Sequence, residues 1–399
     1  MHDIPKAVVA GHLCLDIIPS LSELKLAGAS DFFVPGSLRH VGPATLSTGG
    51  PVSNTGLALV KLGIDTALMC KVGDDPFGSL IRMLLEEWGV TEGVIVVEGE
   101  SSSYSITLDP PGLDRMFLHR PGTNETFSAE DVNYDIVGQR ALFHFGYPPL
   151  LRLIYSNGGR QLVEIFRRVK GMDVTTSLDM TMPDPDSEAG RADWQAILEA
   201  VMPSVDLFLP SAEELLYMLE RDRFDDYLAR GGEDTLALLT AHDLSRMAER
   251  LLEMGGKVVG IKCGYRGVYV RTAGEERLAM MGRIKPADVS NWANRELWHP
   301  SFRVEHYVGG TGSGDSCIAG FLSAFLRGHA LEETVRYACA AGGFNVTAPD
   351  ALSGLRPWPE IVSKVDSGWA MNALRVEETG WRRDEDGLWL GPRDQGSRS

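Results

Sequence analysis

Residues 309–321 read GGTGSGDSCIAGF, five glycines and one carboxylate, Asp315, on the approach to an apolar run. Downstream, SCIAGFLSAFLRG has helical spacing of apolar residues with Gly328 placed to close it, and upstream SFRVEHYV alternates as a strand does. The glycines thus fall at a predicted strand-to-helix junction. The first amides of a helix are unpaired and lie at the positive end of its dipole, so Gly312, Ser313 and Gly314 can turn several N–H groups toward one anion. The stretch is not a P-loop, because Asp315 stands where that loop needs lysine, and it does not fit GxGxxG spacing. A fixed negative charge repels a bound phosphate, whereas a site that must also deprotonate a hydroxyl beside that phosphate requires one. Taken alone, Asp315 also fits an ordinary helix-start aspartate worth ~0.3–1 kcal/mol.

The elements that would position this loop alternate along the chain. KAVVAGHL, DTALMCKVG, ALFHFG, DVTTSLDM, VDLFLP and KVVGIKC read as buried strands. SNTGLALVKLG, closed by Gly63, PFGSLIRMLLEEWG, starting at Pro76, RQLVEIFRRVKG and LSRMAERLLEMG read as helices between them. Such alternation predicts βαβ units, hence a doubly wound, mostly parallel sheet with helices on both faces. Residues 19–48 and 100–122 break the rhythm with short strand-like runs and Pro/Gly turns; they are either surface loops or a small β lid over the sheet's carboxyl edge.

The 399 residues are 44% hydrophobic, enough for a large α/β core, and carry a formal net charge of -17. That balance excludes a broad polyanion surface, so nucleic acid is not an expected partner. Cys14, Cys70, Cys263, Cys317 and Cys339 are scattered, with no zinc-type spacing, and read as reduced thiols of a cytoplasmic protein. The N-terminus lacks the layout of a signal peptide, and no membrane span is expected. Two insertions, at 219–240 and 275–300, the second bearing Trp292 and Trp298, read as partner surfaces or packed loops. Residues 366–399 read as a partly disordered extension of a domain spanning 1–365.

With GGPVSNTGLALVKLG at 49–63 and TGSGDSCIAGFLSAFLRG at 311–328, the chain resembles the ribokinase-like (PfkB) carbohydrate kinases. VVAGHLCLDII looks like that family's first strand, CKVGDDPFGSLIRMLLEEWGV like its second βα unit, and LFHFGYP, VDLFLPSAEE, IKCGYRG and YACAAGGFNVT follow in family order. The resemblance implies a three-layer α/β fold with a β lid over about residues 4–365, and transfer of the ATP γ-phosphoryl group to a primary hydroxyl of a small sugar or derivative. It places Asp16, Gly49, Gly50 and Asn54 at sugar-contacting positions. Asp315 falls on the catalytic base and Gly312, Ser313 and Gly314 on the anion hole. Lys262, Gly264, Gly267 and Cys339 fall beside the nucleotide, and Glu214 on the glutamate that organises hydrated Mg²⁺.

The sequence also departs from the family pattern. Ser211 stands where that Mg²⁺ element has Asn, and Gly309 and Gly310 replace an Asp-Thr or Thr-Thr pair, which predicts weak or absent K⁺ activation. Cys14 and Pro51 argue against ribose. Arg115, His119 and Arg120 are solvated lid charges or contacts to a sugar acid. A nucleoside kinase, with Phe32, Phe33 or Tyr104 stacking on a base, and a non-catalytic sugar or nucleotide sensor are the competing readings. Lid strands that pair across a two-fold axis would make a homodimer.

Overall fold

A strand covered by helices on both faces needs no polar alternation, and the central strands here have none. In a computed structural model that describes residues 4–22, 24, 34–110, 116–231 and 234–396, every residue of β1 (Ala7–Gly11), β4 (Thr66–Gly73), β8 (Leu142–Gly146) and β9 (Thr175–Leu178) is buried. These strands join β5 (Val94–Val97), β10 (Leu207–Phe208) and β11 (Val258–Lys262) in the parallel order β5-β4-β1-β8-β9-β10-β11. Antiparallel β12 (Val268–Thr272) and β13 (Glu296–His299) continue the sheet. Successive residues point to opposite faces. Val9 accordingly packs with Leu68, Ile81 and Phe321 on one side of the sheet, and Val8 with Phe143, Phe166 and Ile261 on the other.

The two irregular excursions form one lid. Strands β2 (Cys14–Pro19) and β3 (Ala44–Gly49) pair antiparallel, as do β6 (Tyr104–Leu108) and β7 (Met116–Arg120). Parallel pairing of β2 with β6 closes a four-stranded sheet, β3-β2-β6-β7. The run VVAGHLCLDII, read above as a single strand, is two: β1 lies in the main sheet and β2 in the lid, broken at His12 and Leu13. The break carries Asp16 from the core into the lid. Phe32, Phe33 and Arg115 lie outside the described residues.

Two further expectations are corrected, and one pair of alternatives is narrowed. SFRVEHYV is not a strand; only Phe302 bridges, antiparallel, to Met371, because the segment's partner is the C-terminal extension and not the sheet. That extension is packed through residue 396. β15 (Trp389–Leu390) pairs with β13 and with β14 (Arg382–Arg383), covering what would otherwise be an open edge. Arg295 is ion-paired to Asp394 at 2.7 Å, with both side chains buried. In the insertions, Trp292 and Trp298 are fully buried, and charged residues 221–231 form a helix.

Candidate functional site

The glycine loop enters the helix Ser313–Leu326 through Gly312, whose φ of 70° lies in the left-handed region. A Cβ there would sit 2.4 Å from the Cβ of Ala351, so both conformation and space demand glycine. Outside helices and strands, the Ser313 amide donates to the Gly310 carbonyl at 3.1 Å, while Gly312 and Gly314 donate no backbone hydrogen bond among the described residues. Two of the three expected anion-binding amides are therefore without such a partner, and the third is engaged within the loop.

Asp315 lies in the first turn of that helix, 3% exposed. Its Oδ2 accepts from Asn54 Nδ2 at 3.0 Å, its Oδ1 from Thr55 Oγ1 at 3.3 Å, and both oxygens from the Tyr147 hydroxyl at 3.1 Å. Burial pushes its carboxyl up, opposed by Asn54, Lys262, Tyr147 and Thr55. A carboxylate raised in this way is a stronger base while still held ionised by donors. Tyr147 stays protonated, because burial and the neighbouring acids push its hydroxyl well up. It occupies the left-handed region, at φ 59°, a cost of ~1–2 kcal/mol for a side chain with a Cβ.

On the lid side, burial pushes the Asp16 carboxyl up to about 6, opposed by a hydrogen bond from Cys14 Sγ at 3.4 Å. A Cβ on Gly49 would lie 2.2 Å from Asp16 Oδ2, and one on Gly50, whose φ is 84°, 2.4 Å from His12 Nδ1. The glycine pair thus keeps room for both side chains. His12 is 3% exposed and, among the described residues, neither ring nitrogen has a hydrogen-bond partner; the buried Oδ1 of Asn54 has none among them either. His12 lies 5.3 Å from the His119 ring and 6.3 Å from that of Tyr147. His119 Nδ1 shares a hydrogen bond with Ser105 Oγ at 2.8 Å. Burial pushes both imidazoles below their ordinary range, with His119 adding to the shift at His12, so both are neutral at pH 7. His12, Cys14 and His119 bring potential metal-binding atoms within 4.8 Å of one another. The Ser105 bond on one of these rings and the Asp16 bond on the thiol give the same atoms a polar role without an ion.

Lys262, Gly264, Gly267 and Cys339 line one cavity of about 520 Å³ together with Ser313 and Gly314. Lys262 Nζ also donates to Asp179 Oδ1 at 2.6 Å and to the Leu209 carbonyl at 2.7 Å. Burial is the largest single effect on Lys262 and works against its charge, but Asp179, Glu214 and Asp315 together outweigh it and hold the ammonium above its ordinary range. Burial pushes Asp179 up, with Lys262 opposing. Glu214 accepts from the Ser211 amide at 2.7 Å while Ser211 Oγ caps the Glu214 amide, so Ser211 serves as a helix cap. Asp179, Glu214 and Asp315 offer the carboxyl oxygens that a hydrated divalent cation takes as ligands.

The sequence reading did not assign His12, Thr55, Tyr147 or Asp179. Tyr147 and Asp179 each follow a strand directly, β8 and β9, at the carboxyl edge where open α/β sheets bind ligands; that placement was the available signal. Tyr104 packs edge-on against Phe77 at 5.2 Å, which ties it to the lid's underside. Arg120 is exposed.

Comparison with known proteins agrees with this fold. The pfkB family carbohydrate kinase profile matches residues 6–358. An uncharacterized sugar kinase of Archaeoglobus fulgidus is 29% identical over 281 residues, covering 70% of this chain and 90% of that protein. Fructokinase-1 of Zea mays is 22% identical over 370 residues, covering 89% and 96%. Among solved structures, Arabidopsis thaliana ribokinase complexed with ribose and ATP superposes with a TM-score of 0.66 at 19% identity, covering 90% of this chain and 98% of the other. Thermotoga maritima ribokinase gives 0.64 at 19% identity, covering 91% and 99%. The architecture is ribokinase-like, and the chain belongs to the pfkB family of carbohydrate kinases, which are ATP-dependent sugar kinases.

Proposed function

We propose that this protein transfers the ATP γ-phosphoryl group to a primary hydroxyl of a small, uncharged sugar bound between lid and sheet. One observation carries the reading. Buried Asp315 touches Asn54 on the sugar side, while its helix-start neighbours Ser313 and Gly314 line the cavity on the other.

Asp315 takes the hydroxyl proton as the sugar oxygen attacks phosphorus, the bond to ADP breaks, and charge on the transferring group meets the amides at 312–314. Tyr147, Asn54 and Thr55 orient the carboxylate. Asp16, Gly49 and Gly50 shape the sugar subsite, and Lys262, Gly264, Gly267 and Cys339 the nucleotide subsite. Mg²⁺ supplies charge neutralisation at the phosphates; Glu214 and Asp179 would hold it, largely through water. The subsite around His12 offers neutral donors and acceptors, and burial with a thiol accounts for the state of Asp16, which favours an uncharged polyol over a sugar acid.

An ADP-release assay across hexoses, pentoses, sugar acids, sugar phosphates and nucleosides tests this. An uncharged sugar is expected to give the highest kcat/KM; a nucleoside in first place would overturn the substrate reading. Exposed apolar residues on the two outer lid strands, Leu46, Met116, Phe117 and Leu118, fit a homodimer through the lid, which sedimentation checks. Among the described residues no helix is long and apolar enough to cross a membrane. The charge and cysteine pattern support a cytoplasmic protein.

A further inference from the structure

The C-terminal extension lies beyond the matched family residues 6–358, yet it forms part of the cavity wall. It runs antiparallel to the segment just before the glycine loop. Arg303 N donates to the Ala370 carbonyl at 2.7 Å, and Asn372 N to the Ser301 carbonyl at 2.8 Å. Trp369 stacks on Phe302 with ring centroids 4.8 Å apart and an interplanar angle of 22°, and it meets Phe344 at the same distance. Phe302 and Asn372 both line the cavity, together with Val346 and Cys339.

Asn372 is held in one orientation. Its Nδ2 donates to Ser301 Oγ at 3.0 Å and to the Phe302 carbonyl at 3.2 Å. A carbonyl can only accept, so the NH₂ group must face Phe302 and both of its protons are spent there. The amide oxygen remains as an acceptor.

We infer that the C-terminal extension is a base-selectivity element, in which the Asn372 oxygen accepts from the exocyclic amine of adenine while the Trp369–Phe302 stack backs the wall. This rests on reading the cavity as the nucleotide subsite. A base with a carbonyl at that position, as in hypoxanthine, would set two acceptors against each other and be disfavoured.

Calorimetry with ADP and IDP on the full chain tests the inference by binding alone, so a failure to phosphorylate any sugar would be seen separately in turnover. Wild-type protein is expected to bind ADP about tenfold more tightly than IDP, and Asn372→Leu to lose that preference. Trp369→Ala is expected to weaken both nucleotides alike, with unfolding curves confirming that each variant folds. The inference is overturned if wild type shows no preference for ADP, if ADP does not bind, or if Asn372→Leu keeps the preference.

Discussion

The two halves of the site are built differently. The nucleotide side is largely backbone and glycine: a left-handed turn at Gly312, amides at a helix start, and turns at Gly264 and Gly267. The proposed sugar side consists of side chains from the break after β1 and from the lid strands, His12, Asp16, Ser105 and His119, which meet because β2 pairs with β6 and β6 with β7. Backbone recognition tolerates sequence change and suits a ligand shared by all members of a fold. Side-chain recognition sets which sugar is held. The orphaned nitrogens of His12 and the Asn54 oxygen lie on the second side, where a ligand with several hydroxyls would satisfy them.

Asp315 joins the halves, so it gives the largest expected effect. Asp315→Asn keeps the shape and the neighbours but removes the proton acceptor; kcat is expected to fall about 10²–10⁴-fold, with sugar and ATP binding nearly preserved. Turnover within a few-fold of wild type would remove the base and, with it, the link between the halves. The raised carboxyl adds a pH signature. Its loss on protonation should begin at a higher pH than for an ordinary aspartate, so kcat/KM falls as pH drops.

What could be read from sequence follows the same divide. Gly312 and Asp315 were legible because their positions are fixed by local backbone geometry, and Lys262 and Cys339 because they ride on regular elements in a predictable order. His12, which belongs to the site only in the proposed function, was not legible there. It falls in a break between two strands that looked like one, and its surroundings come from residue 50, residue 119 and residue 147. The tail was misread for a related reason: its polar, glycine-rich composition suggested disorder, while its anchors, Trp369, Trp389 and Asp394, find partners more than sixty residues away.

His12→Leu tests whether the sugar half is side-chain recognition. It preserves bulk and removes both nitrogens, so the sugar KM is expected to rise about tenfold with the ATP KM unchanged. A matching rise for ATP would show that the two halves are not separable.

An effect of another kind is expected from Asp16, read as stability. Its carboxyl titrates at about 6 when folded against about 4 for an unfolded chain. Between these values the native state binds more protons, so the contribution of Asp16 to stability is greatest below pH 4, falls as pH rises to 6, and stays low above it, by roughly 2–3 kcal/mol. Asp16→Asn carries no such charge. It should melt a few degrees higher than wild type at pH 8 while binding sugar more weakly. A lower melting temperature would mean that the buried charge is compensated by groups not described above.

The smallest effect concerns a cation beside the glycine loop. A monovalent ion needs several oxygens fixed around it, and Gly309 and Gly310 supply no side-chain oxygen. The adjacent Val346 carbonyl already accepts from Val308 N at 2.9 Å and from Gly309 N at 3.4 Å, which further limits the local supply. Replacing Na⁺ by K⁺ at constant ionic strength should therefore change kcat/KM by less than about twofold, ~0.4 kcal/mol in barrier. A fivefold stimulation would show that other carbonyls complete a cation shell, and the nucleotide half would then depend on more than amides and a hydrated divalent ion. Gly309→Asp sharpens the point, since it restores one oxygen ligand and should introduce K⁺ dependence only if the rest of the shell is already in place.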